Sequence, residues 1–125
     1  MKPEKQILAI AEARGWRCKI TDSYEHLTSW NWVAPDGRTT IGDWVTKKLC
    51  LKKGIHVLPN YLHDLDDMHK VETTYPWDED GNPTYNDYIE TLKEVHGSEF
   101  SAFSAPSKTR AEAFLRTLGK WEEGA

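Results

Sequence analysis

The stretch SWNWVAPDGRTT, residues 29–40, decides the predicted fold of this chain. Its two tryptophans, Trp30 and Trp32, alternate with polar neighbours, which is the pattern of a strand with one buried face. The segment Pro35–Arg38 (PDGR) follows directly, and residues of these types favour a turn. The sequence therefore predicts a strand, a reversal at this turn and a partner strand over residues 39–45.

A third strand and a helix are indicated on the N-terminal side of this pair. In residues 16–21 (WRCKIT) apolar and polar types alternate, which is again the two-residue period of a half-buried strand. Before them, apolar residues recur at helical spacing between Pro3 and Gly15, residue types that begin and end helices. We expect a helix over residues 3–14 and then a three-stranded antiparallel meander over residues 16–45.

The second half of the chain is predicted to be mainly helical. Asn60 is expected to cap one helix, and Pro83, as its first residue, and Gly97 are expected to bracket another. Residues 98–104 (SEFSAFS) alternate aromatic and polar types, which indicates a short fourth strand. An antiparallel sheet covered by helices accommodates this order of elements.

The last helix completes the predicted fold. Ser107 or Thr109 is expected to cap it, and Thr109 with Glu112 has the spacing of a capping box. The fold class is α+β, with an antiparallel sheet of about four strands sandwiched between helices (an α/β/α sandwich) in a single domain, residues 1–125. Five apolar residues lie at the periodic centres of their elements and are expected to be buried: Leu8, Trp32, Leu65, Phe114 and Leu118.

The charges of the chain are unevenly distributed. Residues 1–60 carry ten Lys and Arg against six Asp and Glu, whereas residues 61–125 carry six against fourteen. Eleven of those acids lie in residues 64–99, so the chain lacks the continuous basic face that gripping duplex DNA requires. Four lysines within residues 47–53 (KKLCLKK) are the exception, and they either contact phosphates or form a solvated loop or edge.

The sequence also limits where the protein works. No apolar run approaches the roughly 20 residues of a membrane span, and the charged N-terminus does not have the pattern of a signal peptide. The two cysteines, Cys18 and Cys50, lack a metal-binding spacing and are expected to stay reduced in a cytoplasmic protein. We therefore expect no contact with membranes.

Catalytic motifs are not found in the sequence. It contains no GxSxG, HExxH, P-loop or GxGxxG pattern. His63 with Asp67, and Asp66 with His69, have the spacing of two ligands on one helix face. Two ligands without a third equally fit a solvated face whose acids favour the start of a helix. We expect no enzyme activity, no cofactor and no metal.

The first turn of the last helix carries the residues most suggestive of ligand binding. Lys108 and Arg110 lie there, although a helix N-terminus favours anions. A bound phosphate would resolve this conflict, because free backbone N–H groups and the hydroxyls of Ser107 and Thr109 would converge on it. In the alternative, Lys108 and Arg110 pair with the acidic residues of the 64–99 segment.

Several further side chains enter this hypothesis. Arg116 lies six residues after Arg110 and projects from a different side, while Phe103 is a candidate aromatic near the phosphate. Trp30 and Trp32 share one strand face, which either Trp16 or Trp44 could join. Such a cluster either packs in the core or offers a stacking platform for a base. The predicted ligand-binding residues are Arg110, Ser107, Thr109, Lys108, Phe103 and Arg116.

Three blocks of the sequence resemble a known family. These are residues 7–16 (ILAIAEARGW), 58–72 (LPNYLHDLDDMHKVE) and 109–121 (TRAEAFLRTLGKW). Their order and spacing resemble those of the phage ABA-sandwich family, whose name implies an α/β/α sandwich. The acidic, turn-rich residues 75–83 look like an insertion into that pattern. The resemblance implies a small accessory protein made in the cytoplasm of an infected bacterial cell.

The expected function follows from that resemblance and from the ligand hypothesis. Small phage proteins of similar size and α/β build include the Thoeris anti-defence sponges, which bind cyclic ADP-ribose isomers and, in some cases, cyclic oligonucleotides. By analogy, we expect this chain to sequester a nucleotide second messenger without cleaving it, as a homo-oligomer. In the alternative, the acidic residues 64–99 dock on a basic host protein and inhibit it.

Overall fold

The computed structural model of the chain describes residues 1–24, 27–39, 46–97 and 104–123. They belong to two compact units, one of Met1–Ile10 with Asn60–Ala125 and one of Ala11–Pro59. Within the described ranges there are five helices and one two-stranded antiparallel sheet, so the α+β class is confirmed. Most of the predicted third and fourth strands, residues 40–45 and 98–103, lie outside the described residues.

The Ala11–Pro59 unit is built on the predicted hairpin. Strand β1, Arg17–Tyr24, pairs antiparallel with β2, Leu27–Val33, in a register that sets Cys18 opposite Trp32. After β2 the chain reverses, and Val33 forms an antiparallel bridge with Thr39. The turn at Pro35–Arg38 and the start of the meander are thus confirmed.

A helix that the sequence analysis did not predict packs on this hairpin. Helix α2 spans Lys47–Val57 and contacts both β2 and β1. Thr46 begins it, because its hydroxyl accepts a hydrogen bond from the Leu49 N–H at 3.3 Å. The interpretation of residues 47–53 as a loop or edge was therefore wrong. Lysine and leucine are good helix formers, and the charge pattern concealed that propensity.

The first helix agrees with its prediction. Helix α1 spans Pro3–Ala13, and Gly15 follows it with a φ of 96°. A residue with a Cβ is strained at that angle, so a glycine suits the turn that leads into β1.

The helices of the other unit begin at positions that differ from the predicted ones. Helix α3 spans Leu65–Thr74 and is capped by Asp64, whose carboxylate accepts from the N–H groups of the next turn. Asn60 is not the cap, because its carbonyl instead closes a separate turn ahead of the helix by accepting from His63 and Asp64. The later start leaves Leu65 42% exposed, so its predicted burial was wrong.

Helix α4 spans Tyr85–His96. Thr84 and Asp87 form a reciprocal capping box at its start, which puts Pro83 before the cap rather than at the first helical position. Gly97 ends the helix with a φ of 82°, as predicted.

Helix α5 spans Ser107–Thr117, with Pro106 in the capping position and no side-chain cap. Because the helix begins at Ser107, neither Ser107 nor Thr109 caps it. The predicted capping box of Thr109 with Glu112 was therefore wrong. Helix α5 packs on α4 and α3.

The core of this unit is aromatic. Phe114 of α5 is fully buried and meets the rings of Tyr75, Trp77 and Tyr88 at centroid distances of 5.2, 5.8 and 6.4 Å. Edge-to-face contacts of this kind add to the stabilisation from burial. Of the other predicted core residues, Trp32 of the Ala11–Pro59 unit is buried, whereas Leu8 and Leu118 are half-buried.

Candidate functional site

A surface cavity in the Ala11–Pro59 unit is a candidate site. Its volume is about 230 Å³, and it is lined by Trp16, Ala34, Arg38 and Thr39. The strand register explains this grouping: Arg17 pairs with Val33, so the residue before β1 and the residue after β2 are neighbours. The turn after β2 then returns Arg38 and Thr39 to the same place. We call this group the Trp16 cavity.

Backbone contacts fix the two sides of the Trp16 cavity. On one side, the Trp16 N–H donates to the Ala11 carbonyl at 3.0 Å, which ties the indole-bearing residue to the end of α1. On the other side, the Ala34 N–H donates to the Arg38 carbonyl at 2.8 Å and closes the turn. The cavity is therefore framed by hydrogen-bonded backbone rather than by an unanchored loop.

Asp36 orients the cation of the cavity. Its carboxylate accepts hydrogen bonds from the Arg38 backbone N–H at 3.1 Å and from Arg38 Nε at 2.7 Å. The hydrogen bond from the backbone N–H is the main cause that holds the pKa of Asp36 below its ordinary value. The Arg38 side chain is 83% exposed, so the cavity opens to solvent at the guanidinium.

The lining of the cavity combines three kinds of side chain. Trp16 supplies an aromatic ring, Arg38 a guanidinium and Thr39 a hydroxyl, around the buried methyl group of Ala34. Aromatic faces stack on planar rings, and guanidinium groups bind phosphates through paired N–H donors. The cavity, of about 230 Å³, is smaller than the roughly 300–1,000 Å³ typical of sites for drug-sized ligands.

The predicted phosphate residue, Arg110, occupies a different environment. Arg110 is 4% exposed, and its guanidinium donates to both oxygens of the Glu72 carboxylate, at 3.1 and 2.9 Å. Its Nε donates to the Ala105 carbonyl at 2.9 Å. Glu72 belongs to the acidic 64–99 segment. Arg110 therefore makes the ion pair that the sequence analysis gave as the alternative to phosphate binding. The pair is buried, not on the surface.

A tyrosine lies beside this ion pair. The Tyr88 hydroxyl is buried and lacks a well-aligned hydrogen-bond partner among the described residues. Burial is the main cause that raises the pKa of Tyr88 above its ordinary value, and the neighbouring Glu72 carboxylate adds to it. Glu72, Tyr88 and Arg110 are therefore a buried polar cluster that links α3, α4 and α5.

The remaining predicted site residues do not converge on one point. Ser107 is buried, Thr109 is half-buried and Lys108 is exposed. Arg116 is paired with Glu112 at 3.1 Å and with Glu123 at 2.6 Å. Phe103 lies outside the described residues. Contact of these residues with a phosphate stays a prediction.

The tryptophans separate into different roles. Trp32 is 2% exposed, and its Nε1 donates to the Cys50 carbonyl at 2.8 Å, so for this residue the core interpretation is confirmed. Trp30 is half-buried under Lys47, whose Nζ lies 5.4 Å from the ring centroid. Trp16 lines the cavity, and Trp44 is not among the described residues.

Two members of the suggested metal pairs have surroundings that the structure describes. Asp67 accepts a hydrogen bond from the Asn60 N–H at 2.9 Å, and His63 is exposed. In the part of the chain that the structure describes, no three His, Cys, Asp or Glu side chains are grouped as metal ligands. The described helices include none with the length and apolar character that spanning a membrane requires.

Sequence reasoning identified the turn of the Trp16 cavity but not the cavity itself. The signal was available, because in an antiparallel meander the residue before the first strand lies next to the residue after the second. The proximity of Trp16, ahead of β1, and Arg38, after the turn, follows from the register of β1 with β2. The alternation of residue types predicts the two strands but does not define which residues pair.

Comparison of the chain with protein-family models, curated proteins and solved structures finds no match. The resemblance to the phage ABA-sandwich family stays a prediction.

Proposed function

We propose that this protein binds a phosphate-bearing nucleotide in the Trp16 cavity and holds it without cleaving it. The observation that carries the proposal is the juxtaposition of an indole ring and an exposed guanidinium in one cavity of about 230 Å³. The base would stack on Trp16, where stacking contributes roughly 1–3 kcal/mol. The phosphate would lie at the mouth of the cavity, against Arg38.

The electrostatics of the turn support this orientation. Asp36 holds the Nε edge of the Arg38 guanidinium, and the terminal amino groups remain the edge that a phosphate would approach. The Asp36 carboxylate also reduces the local positive charge, so we expect moderate affinity rather than tight phosphate binding. The proposal moves the phosphate contact from Arg110, which is engaged with Glu72, to Arg38.

The biological role is part of the same proposal. We infer that the nucleotide is a second messenger, such as a cyclic ADP-ribose isomer or a cyclic oligonucleotide, and that a phage anti-defence protein sequesters it. Assembly into a homo-oligomer and the cytoplasm of the infected cell as the site of action are proposed with it. The four-stranded sheet between helices is the architecture proposed for the whole chain. These elements rest on the sequence resemblance.

Titration calorimetry with cyclic ADP-ribose isomers and cyclic di- and trinucleotides tests the binding step. We expect Arg38→Ala to weaken binding about ten- to a hundredfold, because it removes a charge-assisted hydrogen bond worth roughly 1.5–3 kcal/mol. Trp16→Ala should weaken it through the lost stacking. Lys19→Ala is the matched control, since it removes an exposed positive charge from the same unit outside the cavity.

The outcomes separate the candidate sites. Unchanged affinity in Arg38→Ala, or an equal loss in Lys19→Ala, would contradict the Trp16 cavity as the site. Loss of binding in Lys108→Ala instead, with Arg38→Ala unaffected, would return the site to α5. Release of a cleaved product during the titration would replace sequestration by catalysis.

A second candidate function has an observation of its own. Leu65 and Tyr85, 42% and 43% exposed, lie in the acidic segment of residues 64–99. Exposed apolar side chains in a segment rich in carboxylates are suited to a basic protein partner, because aromatic anchors and charge complementarity both occur at interfaces. Leu65→Ser and Tyr85→Ser should then abolish capture of that partner and leave nucleotide binding unchanged.

A further inference from the structure

We propose that Cys18 and Cys50 form a dithiol site that small-molecule disulfides, of the class of oxidised glutathione, convert into an intramolecular disulfide. The site would join strand β1 to helix α2 within the Ala11–Pro59 unit. It is independent of the nucleotide proposal.

The distance between the two sulfurs carries the inference. Cys18 Sγ and Cys50 Sγ are 2.7 Å apart, although the residues are 32 positions apart in the sequence. A disulfide bond is about 2.05 Å long, so the sulfurs need to approach by only ~0.7 Å.

The surrounding contacts hold the sulfurs together. Cys18 lies opposite Trp32 in the β1–β2 register, and the Trp32 indole donates to the Cys50 carbonyl at 2.8 Å. One tryptophan thus anchors the backbone of Cys50 to the strand pair that carries Cys18. Because both thiols are attached to hydrogen-bonded elements, their encounter requires no rearrangement of the unit.

The burial of the two thiols sets the order of reaction. Cys18 is half-buried, whereas Cys50 is only 3% exposed. Burial, together with the neighbouring Cys18, raises the pKa of the Cys50 thiol to about 12. Since the thiolate is the nucleophile, Cys18 is the residue that meets the oxidant first.

The exchange proceeds in two steps that balance. The Cys18 thiolate attacks one sulfur of the small disulfide RSSR, forms a mixed disulfide and releases one thiolate, RS⁻. The Cys50 thiol gives its proton to water or to RS⁻, and its sulfur then attacks the Cys18 sulfur and expels the second RS⁻. The protein thiols are oxidised by two electrons, and one RSSR is reduced to two RSH.

Oxidation of the intact wild-type protein tests the site. Reduced protein is equilibrated with graded ratios of reduced to oxidised glutathione, the remaining thiols are alkylated, and the intact mass is measured. We expect a monomer that has lost two hydrogen atoms and takes up no alkylating agent. Its melting temperature should rise by on the order of 10 °C, as expected for a cross-link in a small unit.

Two variants check the order of attack. Cys50→Ser should stop at a mixed disulfide of Cys18 with glutathione, because the second thiol is missing. Cys18→Ser should react at least tenfold more slowly, since only the buried thiol remains. The proposal is overturned if wild-type protein keeps two alkylatable thiols in oxidised glutathione, or if it forms only mixed or intermolecular disulfides.

Discussion

The buried ion pair of Arg110 with Glu72 gives Arg110 a structural role. Both side chains, Arg110 and Glu72, are 5% exposed. In such surroundings an ion pair gains little net stability over a well-packed apolar pair, but loss of one partner leaves an uncompensated charge. Arg110 is therefore a structural clamp between α5 and α3, and a cation in a first helical turn need not indicate an anion ligand.

Removing Arg110 should consequently destabilise the fold. We expect Arg110→Ala to lower the free energy of unfolding by about 3–5 kcal/mol, because it leaves Glu72 charged and buried. Arg116→Ala on the same helix is the control, with an expected loss of at most about 1 kcal/mol for a more exposed pair. Urea unfolding of both variants measures the difference. Similar losses in the two would contradict the clamp.

The Cys50 thiol gives the stability of the reduced protein a pH dependence. Its pKa is raised from 9.0 to about 12 in the fold, so folding favours the protonated thiol. That stabilisation is fully present below pH 9 and is lost as the pH rises from 9 towards 12. The melting temperature under reducing conditions should therefore fall more steeply with pH above pH 9 in the wild type than in Cys50→Ala. Parallel curves for the two proteins would contradict this expectation.

At the scale of elements, the truncation of one core side chain tests the packing of α5. Phe114→Ala should cost roughly 3–5 kcal/mol, because the ring is fully buried among aromatic neighbours. Leu65→Ala is the comparison, with an expected cost below about 1 kcal/mol at an exposed position. Denaturant unfolding measures both. Equal costs would place Phe114 outside the core.

Which elements could be predicted follows from how local their signals are. Helix α1 and the turn at Pro35–Arg38 depend on neighbouring residues alone, so their periodicity and turn chemistry sufficed. Helix α2 was missed because its lysines read as a charge run, whereas Trp32 and Cys50 hold it in place through contacts distant in sequence. The start of α3 shifted because Asn60 and Asp64 are equally good caps, and only the folded chain selects between them.

The same distinction between local and distant signals applies to the candidate site residues. The cations in the first turn of α5 could be identified from the sequence. The partner of Arg110, Glu72, is 38 residues away, and pairing over that distance cannot be derived from residue spacing. The Trp16 cavity likewise depends on the register of β1 with β2. The sequence analysis thus proposed an aromatic ring, a guanidinium and a hydroxyl, and groups of these kinds line the Trp16 cavity. Phosphate binding by the residues of α5 stays a prediction.

At the scale of the whole molecule, charge distribution separates the two proposed functions. Residues 1–60 have an excess of basic side chains and contain the Trp16 cavity, while residues 61–125 have a larger acidic excess. Among the described residues that line the cavity, Arg38 is the cation that a nucleotide would meet. A basic protein on residues 64–99 would instead meet many carboxylates at once. Screening by salt weakens the second arrangement far more than the first.

Salt titration turns this difference into a measurement. If the protein binds a nucleotide at Arg38, raising the salt from about 0.05 to about 0.3 M should weaken the affinity by only a few fold, since one guanidinium and a stacked ring supply the contacts. Binding of an oligolysine peptide, a stand-in for a basic partner, should fall at least tenfold over the same range. Glu90→Gln should lower the peptide affinity and leave the nucleotide unaffected, because Glu90 is an exposed carboxylate of α4 outside the cavity. The assignment of the nucleotide to Arg38 and of the basic partner to residues 64–99 would be contradicted by either of two results. These are peptide affinity that does not change with salt and nucleotide affinity that falls more than tenfold over the same range.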